Sequence, residues 1–110
     1  SETTVFDLVR YYKDAGGFSN VATVISELAP KLSKRKLKKL ALVQEMSVTQ
    51  RLGYLLDLLG ERELADDLSE FFQKSTQKPV FLRADLQTDR KTEFIERWNL
   101  YVNEKVEPDN

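Results

Sequence analysis

Ser47-Val48-Thr49-Gln50-Arg51-Leu52-Gly53-Tyr54-Leu55-Leu56-Asp57-Leu58-Leu59-Gly60 is the most apolar segment of this 110-residue chain and its best-defined helix. Ser47 and Gln50 stand at capping-box spacing, and Gly60 supplies the residue that accepts a left-handed backbone at a helix end. Val48, Leu52, Leu55, Leu56 and Leu59 recur at i, i+4, i+7, i+8 and i+11, and Tyr54 and Leu58 widen the stripe until most of the circumference is apolar. A helix of that kind belongs at the buried centre of a small domain, with all five stripe residues inside. Gly53 costs roughly 1 kcal/mol against alanine in a helix interior, so it predicts that another element passes close enough to need the missing side chain. Arg51 is the exception on this helix. It reads either as a snorkelling or capping side chain at the rim, or as a charge aimed at a partner or an internal carboxylate.

Upstream, residues 4–13 put Val5, Leu8, Val9 and Tyr12 on one helical face, with Thr4 and Asp7 at capping-box spacing. Gly16 and Gly17 stop that helix, and Ser19 or Asn20 opens a second whose Val21, Val24, Ile25, Leu28 and Leu32 share a face. Pro30 removes a backbone donor inside this pattern, so the helix is expected to end near Ala29 rather than kink and continue. Ser33 can cap a third helix over 34–45, with Leu37, Leu40 and Ala41 on its apolar face. Its first turns carry Lys34, Arg35, Lys36, Lys38 and Lys39, five cations in six residues. That run could hold phosphates, and it opposes the positive end of the helix dipole. The alternative is a solvated face, because no aromatic or glycine-rich loop interleaves it and the acidic segment 61–70 offers compensating charge.

Past Gly60 a further helix follows almost without a loop. Leu64, Ala65, Leu68, Phe71 and Phe72 form its core face, and the pair makes a tight αα-hairpin. Asp66 and Asp67 read as an exposed acidic face rather than a metal site, since neighbouring helix residues diverge by about 100° and no calcium loop surrounds them. Beyond residue 74 the pattern changes. Pro79-Val80-Phe81-Leu82 reads as an edge strand, and 97–103 alternates as a half-buried strand with Trp98, Leu100 and Val102 inward. The polar stretch 84–92 between them reads as a loop. The expected fold is α+β: four to five helices with a small C-terminal antiparallel β element, in a single domain spanning 1–110.

Composition narrows the chemistry. The chain has no Cys and no His, so a Cys/His zinc site, a disulfide framework, a cysteine nucleophile and a serine–histidine triad all lack their groups. Without a phosphate-cradling glycine loop either, no catalytic constellation is recognisable, and the chain reads as a non-enzyme without cofactor, metal or small-molecule substrate. No apolar run is long enough to span a membrane and no signal-peptide pattern opens the chain, so a cytoplasmic location is expected. The net charge of −1 argues against a polyelectrolyte surface over the whole domain. An initial serine and a polar terminus point to a domain excised from a longer protein.

Read in order, Thr4-Val5-Phe6-Asp7-Leu8-Val9-Arg10, Gly16-Gly17, Arg51-Leu52-Gly53-Tyr54-Leu55-Leu56 and Trp98-Asn99-Leu100-Tyr101-Val102-Asn103 resemble the C-terminal domain of AbiEi-type antitoxins. The resemblance runs over about 3–107 and rests on the order and spacing of the blocks. It implies a bacterial antitoxin of a type IV, abortive-infection system active in phage defence. Such a domain counteracts a nucleotidyltransferase-like toxin, not necessarily through a stable complex, and supports a transcriptional regulator. Promoter DNA would be read by an N-terminal winged helix-turn-helix that has no counterpart in this chain. By family position Arg51, Gly53, Tyr54, Trp98 and Asn103 are characteristic, with Gly16 and Gly17 in an earlier block. Gly53, Tyr54 and Trp98 read as packing residues, which leaves Arg51 and Asn103 as the candidate functional surface. The competing function is a nucleic-acid-binding helical module using the basic run 34–39.

Overall fold

The computed structural model describes residues 2–73, 78–86 and 92–108. Five α-helices, α1 (Glu2–Arg10), α2 (Phe18–Leu28), α3 (Lys34–Ala41), α4 (Met46–Leu58) and α5 (Arg62–Gln73), precede three short strands, β1 (Val80–Phe81), β2 (Glu93–Ile95) and β3 (Leu100–Val102). The α+β, mainly helical expectation stands. Helix α4 is the centre, packing against α1, α5, the short 3₁₀ turn Glu96–Trp98 and β3. Val48, Leu52, Leu55 and Leu56 are buried as expected. Leu59 is only half-buried and Leu58 is exposed; they are the C-cap and the last residue of the helix.

The ends of α4 differ in how they match the sequence. Its C-terminus closes as Gly60 predicts: Gly60 takes φ +76, its N–H donates to the Asp57 carbonyl at 3.0 Å, and the Glu61 N–H donates to that of Leu56 at 2.9 Å. That pair of bonds is a Schellman closure. The expected Ser47–Gln50 capping box is absent. The helix starts at Met46 with Glu45 as its N-cap, and the Gln50 amide is drawn instead to carbonyls of the C-terminal segment.

Similar shifts occur elsewhere. Helix α1 begins at Glu2, so Thr4 and Asp7 lie inside it, and the Glu2 carboxylate accepts the Ser33 N–H at 2.8 Å. Gly16 and Gly17 both adopt φ +88, and Gly17 serves as N-cap of α2, which therefore opens at Phe18, ahead of Ser19 and Asn20. Phe18 is thereby free to stack on Tyr12, with ring centroids 4.1 Å apart. Helix α2 ends at Leu28 and Pro30 sits in a 3₁₀ turn, as proline requires. Ser33 caps α3, its Oγ accepting the Lys36 N–H at 3.3 Å. That helix stops at Ala41 rather than Glu45; Leu42 and Val43 are 70% and 78% exposed, so no burial holds another turn.

The sheet is mixed, in the order β1-β3-β2. Strand β2 runs antiparallel to β3 with Phe94 opposite Tyr101, whereas β1 pairs parallel with Phe81 opposite Tyr101. Strand β1 is thus the edge strand that Pro79 suggests. The continuous strand expected over 97–103 is broken. An antiparallel partner for β3 requires the chain to reverse, and it does so through the 96–98 turn and Asn99, which adopts the left-handed φ 51, ψ 47 that asparagine tolerates. Trp98 and Leu100 remain buried and Val102 half-buried, so the inward face was read correctly although its backbone was not. Of the expected loop, residues 87–91 lie outside the described residues. The largest fully buried side chains are Trp98, Phe6, Phe18 and Phe72, brought together around α4 by α1, α2, α5 and the 96–98 turn.

Candidate functional site

Arg51 and Asn103, distant in sequence, fasten the same short segment. Arg51 Nε and Nη2 donate to the Phe81 carbonyl at 3.1 and 2.9 Å. Burial lowers its pKa from the ordinary arginine value, against the opposing pull of Tyr12 and Glu45, and the guanidinium stays charged at neutral pH. The arginine is thus a cap on β1, the rim role, rather than a partner of an internal carboxylate. Asn103 Oδ1 accepts the Arg83 N–H at 2.8 Å, while Nδ2 donates to the Arg83 carbonyl at 2.8 Å and to that of Leu86 at 3.2 Å. Its amide imitates a strand backbone. It continues the pairing that ends where the Leu82 N–H meets the Tyr101 carbonyl at 2.8 Å.

The fastened segment carries a charged cluster. Arg83 makes a two-pronged contact with Asp85, Nε and Nη2 lying 2.8 and 2.6 Å from its oxygens, and reaches Glu104 through Nη1 at 2.6 Å. The guanidinium lies 5.9 Å from the centre of the Tyr12 ring, the Tyr12 hydroxyl donates to Asp85 at 3.3 Å, and Lys13 Nζ stands 3.6 Å from Asp85. Hydrogen bonds from Arg83 hold the Asp85 carboxyl well below the usual range, and Asp85 and Glu104 raise the arginine above its own. These polar atoms are engaged with one another. The cluster joins the end of α1 to the sheet and fixes residues 81–86.

Behind it, α4 presents a second face made of Gln50, Gly53 and Asp57, spaced i, i+3 and i+7. Gly53 is the notch its sequence predicts. A Cβ there would lie 2.3 Å from Cη2 and Cζ3 of Trp98, which is fully buried. The indole N–H donates to Asp57 Oδ2 at 2.6 Å, and Gln50 Nε2 reaches the carbonyls of Lys78, Trp98 and Asn99 at 3.1, 2.9 and 3.1 Å. Arg97 lies over the Trp98 ring at 5.4 Å and pairs with Asp66 at 2.6 Å and Asp57 at 3.4 Å. Tyr54 is half-buried, its pKa raised by burial and by Glu93. Gly16 and Gly17 occupy the α1–α2 turn. Gln50 was read from sequence only as a capping-box residue, and Asp57, Arg83 and Asp85 were not singled out. The first two were legible as a small-and-polar stripe beside the apolar one on α4, whereas nothing in the sequence pairs Arg83 with Asn103.

The basic run forms one wall of a groove of about 580 Å³ between α3 and α5, lined by Lys34, Arg35, Lys38, Lys39, Leu42, Asp67 and Phe71. Lys36 faces another hollow with Glu2 and Leu40. Among the described residues only Lys38 of the five cations has a carboxylate within 4 Å, Asp67 at 3.7 Å. Asp66 thus pairs with Arg97 and Asp67 with Lys38, and among the described residues no three carboxylates gather to hold a metal. No helix among them is long and apolar enough to cross a membrane.

A mainly helical domain, with a small sheet latched to its central helix and its polar clusters engaged in that latch, defines the class. The family model of the AbiEi antitoxin C-terminal domain matches residues 1–58, more than half of the chain, and the chain belongs to that family. The match ends at the last residue of α4 and so includes Arg51, Gly53 and Tyr54. No curated protein and no solved structure matches the chain.

Proposed function

We propose that this domain is the antitoxic part of a type IV toxin–antitoxin pair, counteracting a nucleotidyltransferase-like toxin in the bacterial cytoplasm as part of abortive-infection phage defence. It also supports transcriptional control by a separate DNA-binding domain that reads the promoter. Membership of the antitoxin family supports the reading. The observation that carries it to particular residues is the convergence of Arg51 and Asn103 on 81–86. Both act by presenting that segment and its Arg83–Asp85 pair in one geometry. The competing nucleic-acid reading draws on α3, but the groove beside that run has Leu42 and Phe71 in its lining, surfaces with nothing to offer a phosphate.

Co-expression of this chain with its cognate toxin, scored by growth, is the test. Rescue is expected from the parent, and loss of rescue from Arg51→Ala and Asn103→Ala. Arg51→Ala gives up two hydrogen bonds and Asn103→Ala three, each worth about 1 kcal/mol in partly exposed settings, so the melting temperature should fall by roughly 10–20 °C and leave both variants folded at growth temperature. Well-folded variants that still rescue growth would refute the assignment of these two residues. A parent chain that fails to rescue would refute the antitoxic role itself.

A further inference from the structure

The α3–α5 groove takes no part in fastening 81–86. Its lining combines two surfaces that soluble domains seldom leave together in the open. Leu42 in the lining is 70% exposed and Phe71 stands half-buried across from it, while Val43, 78% exposed, adjoins the groove as the next residue in the chain. Along the rim stand Lys34, Arg35 and Lys39, for which no carboxylate within 4 Å is found among the described residues, and Lys38, which shares Asp67. The first three residues of α3 are all cationic although the helix dipole disfavours positive charge there. The Glu2 carboxylate, which accepts the Ser33 N–H and lies beside Lys36, offsets this at one side of the helix start and leaves the groove cations unanswered. Helix stability therefore does not account for the run, and the charge it lacks is negative.

We propose that this groove docks an acidic, amphipathic helical segment of a partner protein. Apolar anchors at i, i+4 and i+7 would cover Leu42, Val43 and Phe71, the helix-in-groove mode, while flanking carboxylates meet the four rim cations. A phosphate backbone answers the charge but leaves the apolar lining of Leu42 and Phe71 bare. The inference does not depend on the toxin–antitoxin reading.

The probe is a fluorescein-labelled helical peptide of about 18 residues, with leucines at i, i+4 and i+7 on one face and glutamates on the other. Binding to the 110-residue chain is followed by anisotropy and by amide chemical shifts. Shift changes confined to α3, Leu42, Val43 and α5 around Phe71 are expected. Affinity should fall at least about tenfold when the glutamates become glutamines, when Lys34→Glu and Lys39→Glu are combined, or when salt rises, since rim charges are screened. Leu42→Ser, at an exposed position that leaves the fold intact, should weaken binding severalfold without changing the salt slope. Three results overturn the proposal: a DNA duplex that shifts the same residues more tightly than the peptide, self-association of the chain through this face, or no peptide-induced shifts in the groove at about 1 mM peptide.

Discussion

Gly53→Ala should be the most damaging conservative change in this chain. Alanine is normally preferred in a helix by about 1 kcal/mol, so propensity alone predicts a gain. The new methyl would, however, lie 2.3 Å from two ring carbons of Trp98 and 2.5 Å from a third. That is more than about 1 Å inside an ordinary carbon–carbon contact. The indole cannot slide away freely, because its N–H is held by Asp57 at 2.6 Å and its ring packs against Phe72 with centroids 5.7 Å apart. Overpacking of about 1–3 kcal/mol, plus a strained hydrogen bond to a charged acceptor worth about 1.5–3 kcal/mol, outweighs the propensity gain. The net loss should be about 2–4 kcal/mol, lowering the melting point by roughly 10–25 °C. Urea denaturation followed by fluorescence is the assay, since Trp98 is the only tryptophan and its emission should shift to the red when displaced. In a Trp98→Leu background the same alanine should cost under about 1 kcal/mol, a coupling that a double-mutant cycle reads directly. A loss below about 1 kcal/mol in the parent, with unchanged emission, refutes the argument.

Leu55→Ala, at a fully buried position of α4, should destabilise by about 2–5 kcal/mol through lost burial and the cavity left behind; chemical denaturation measures it. Thr49→Val should instead stabilise by about 1 kcal/mol, because the Thr49 hydroxyl is buried with no hydrogen-bond partner among the described residues. The Asp85 carboxyl titrates lower in the folded protein than in the unfolded chain, so its contribution is present above the ordinary carboxylate range near pH 4 and is lost as pH falls below it. Asp85→Asn should accordingly lower stability at pH 6 more than at pH 2, and equal losses at both would count against the Arg83–Asp85 pairing.

The helices were legible because each announces itself through local chemistry. Ser33, Gly60 and Pro30 act on backbone groups within a turn of themselves, and the apolar stripes record burial whatever buries them. Even so, the starts of α1 and α2 lay earlier than the capping residues suggested, and at α4 distant groups competed for the capping side chain. Gln50 is the example, with an amide suited to a capping box that meets three carbonyls some thirty to fifty residues away. The strand over 97–103 was half legible: alternation found the inward residues, but a reversal at Asn99 depends on β2 arriving from elsewhere. Of the candidate site, Gly53 declared a close approach without naming Trp98. Arg51 and Asn103 were found through family order, while their common target at 81–86 is a tertiary fact that no spacing encodes.

The fit between Gly53 and Trp98 bears on how far either half of the chain can stand alone. The family-matched part, 1–58, ends with the helix that carries the notch, and the indole that occupies it comes from residue 98. Severed after residue 58, that part would be a receptor without its plug: an open trench on α4, Gln50 donors facing no carbonyl, and Arg51 with no strand to hold. A fragment of this kind has every reason to be sticky and little means of cooperative unfolding. Mixed with a peptide spanning 59–110, it should regain a single sharp transition, because each piece supplies the boundary that the other lacks.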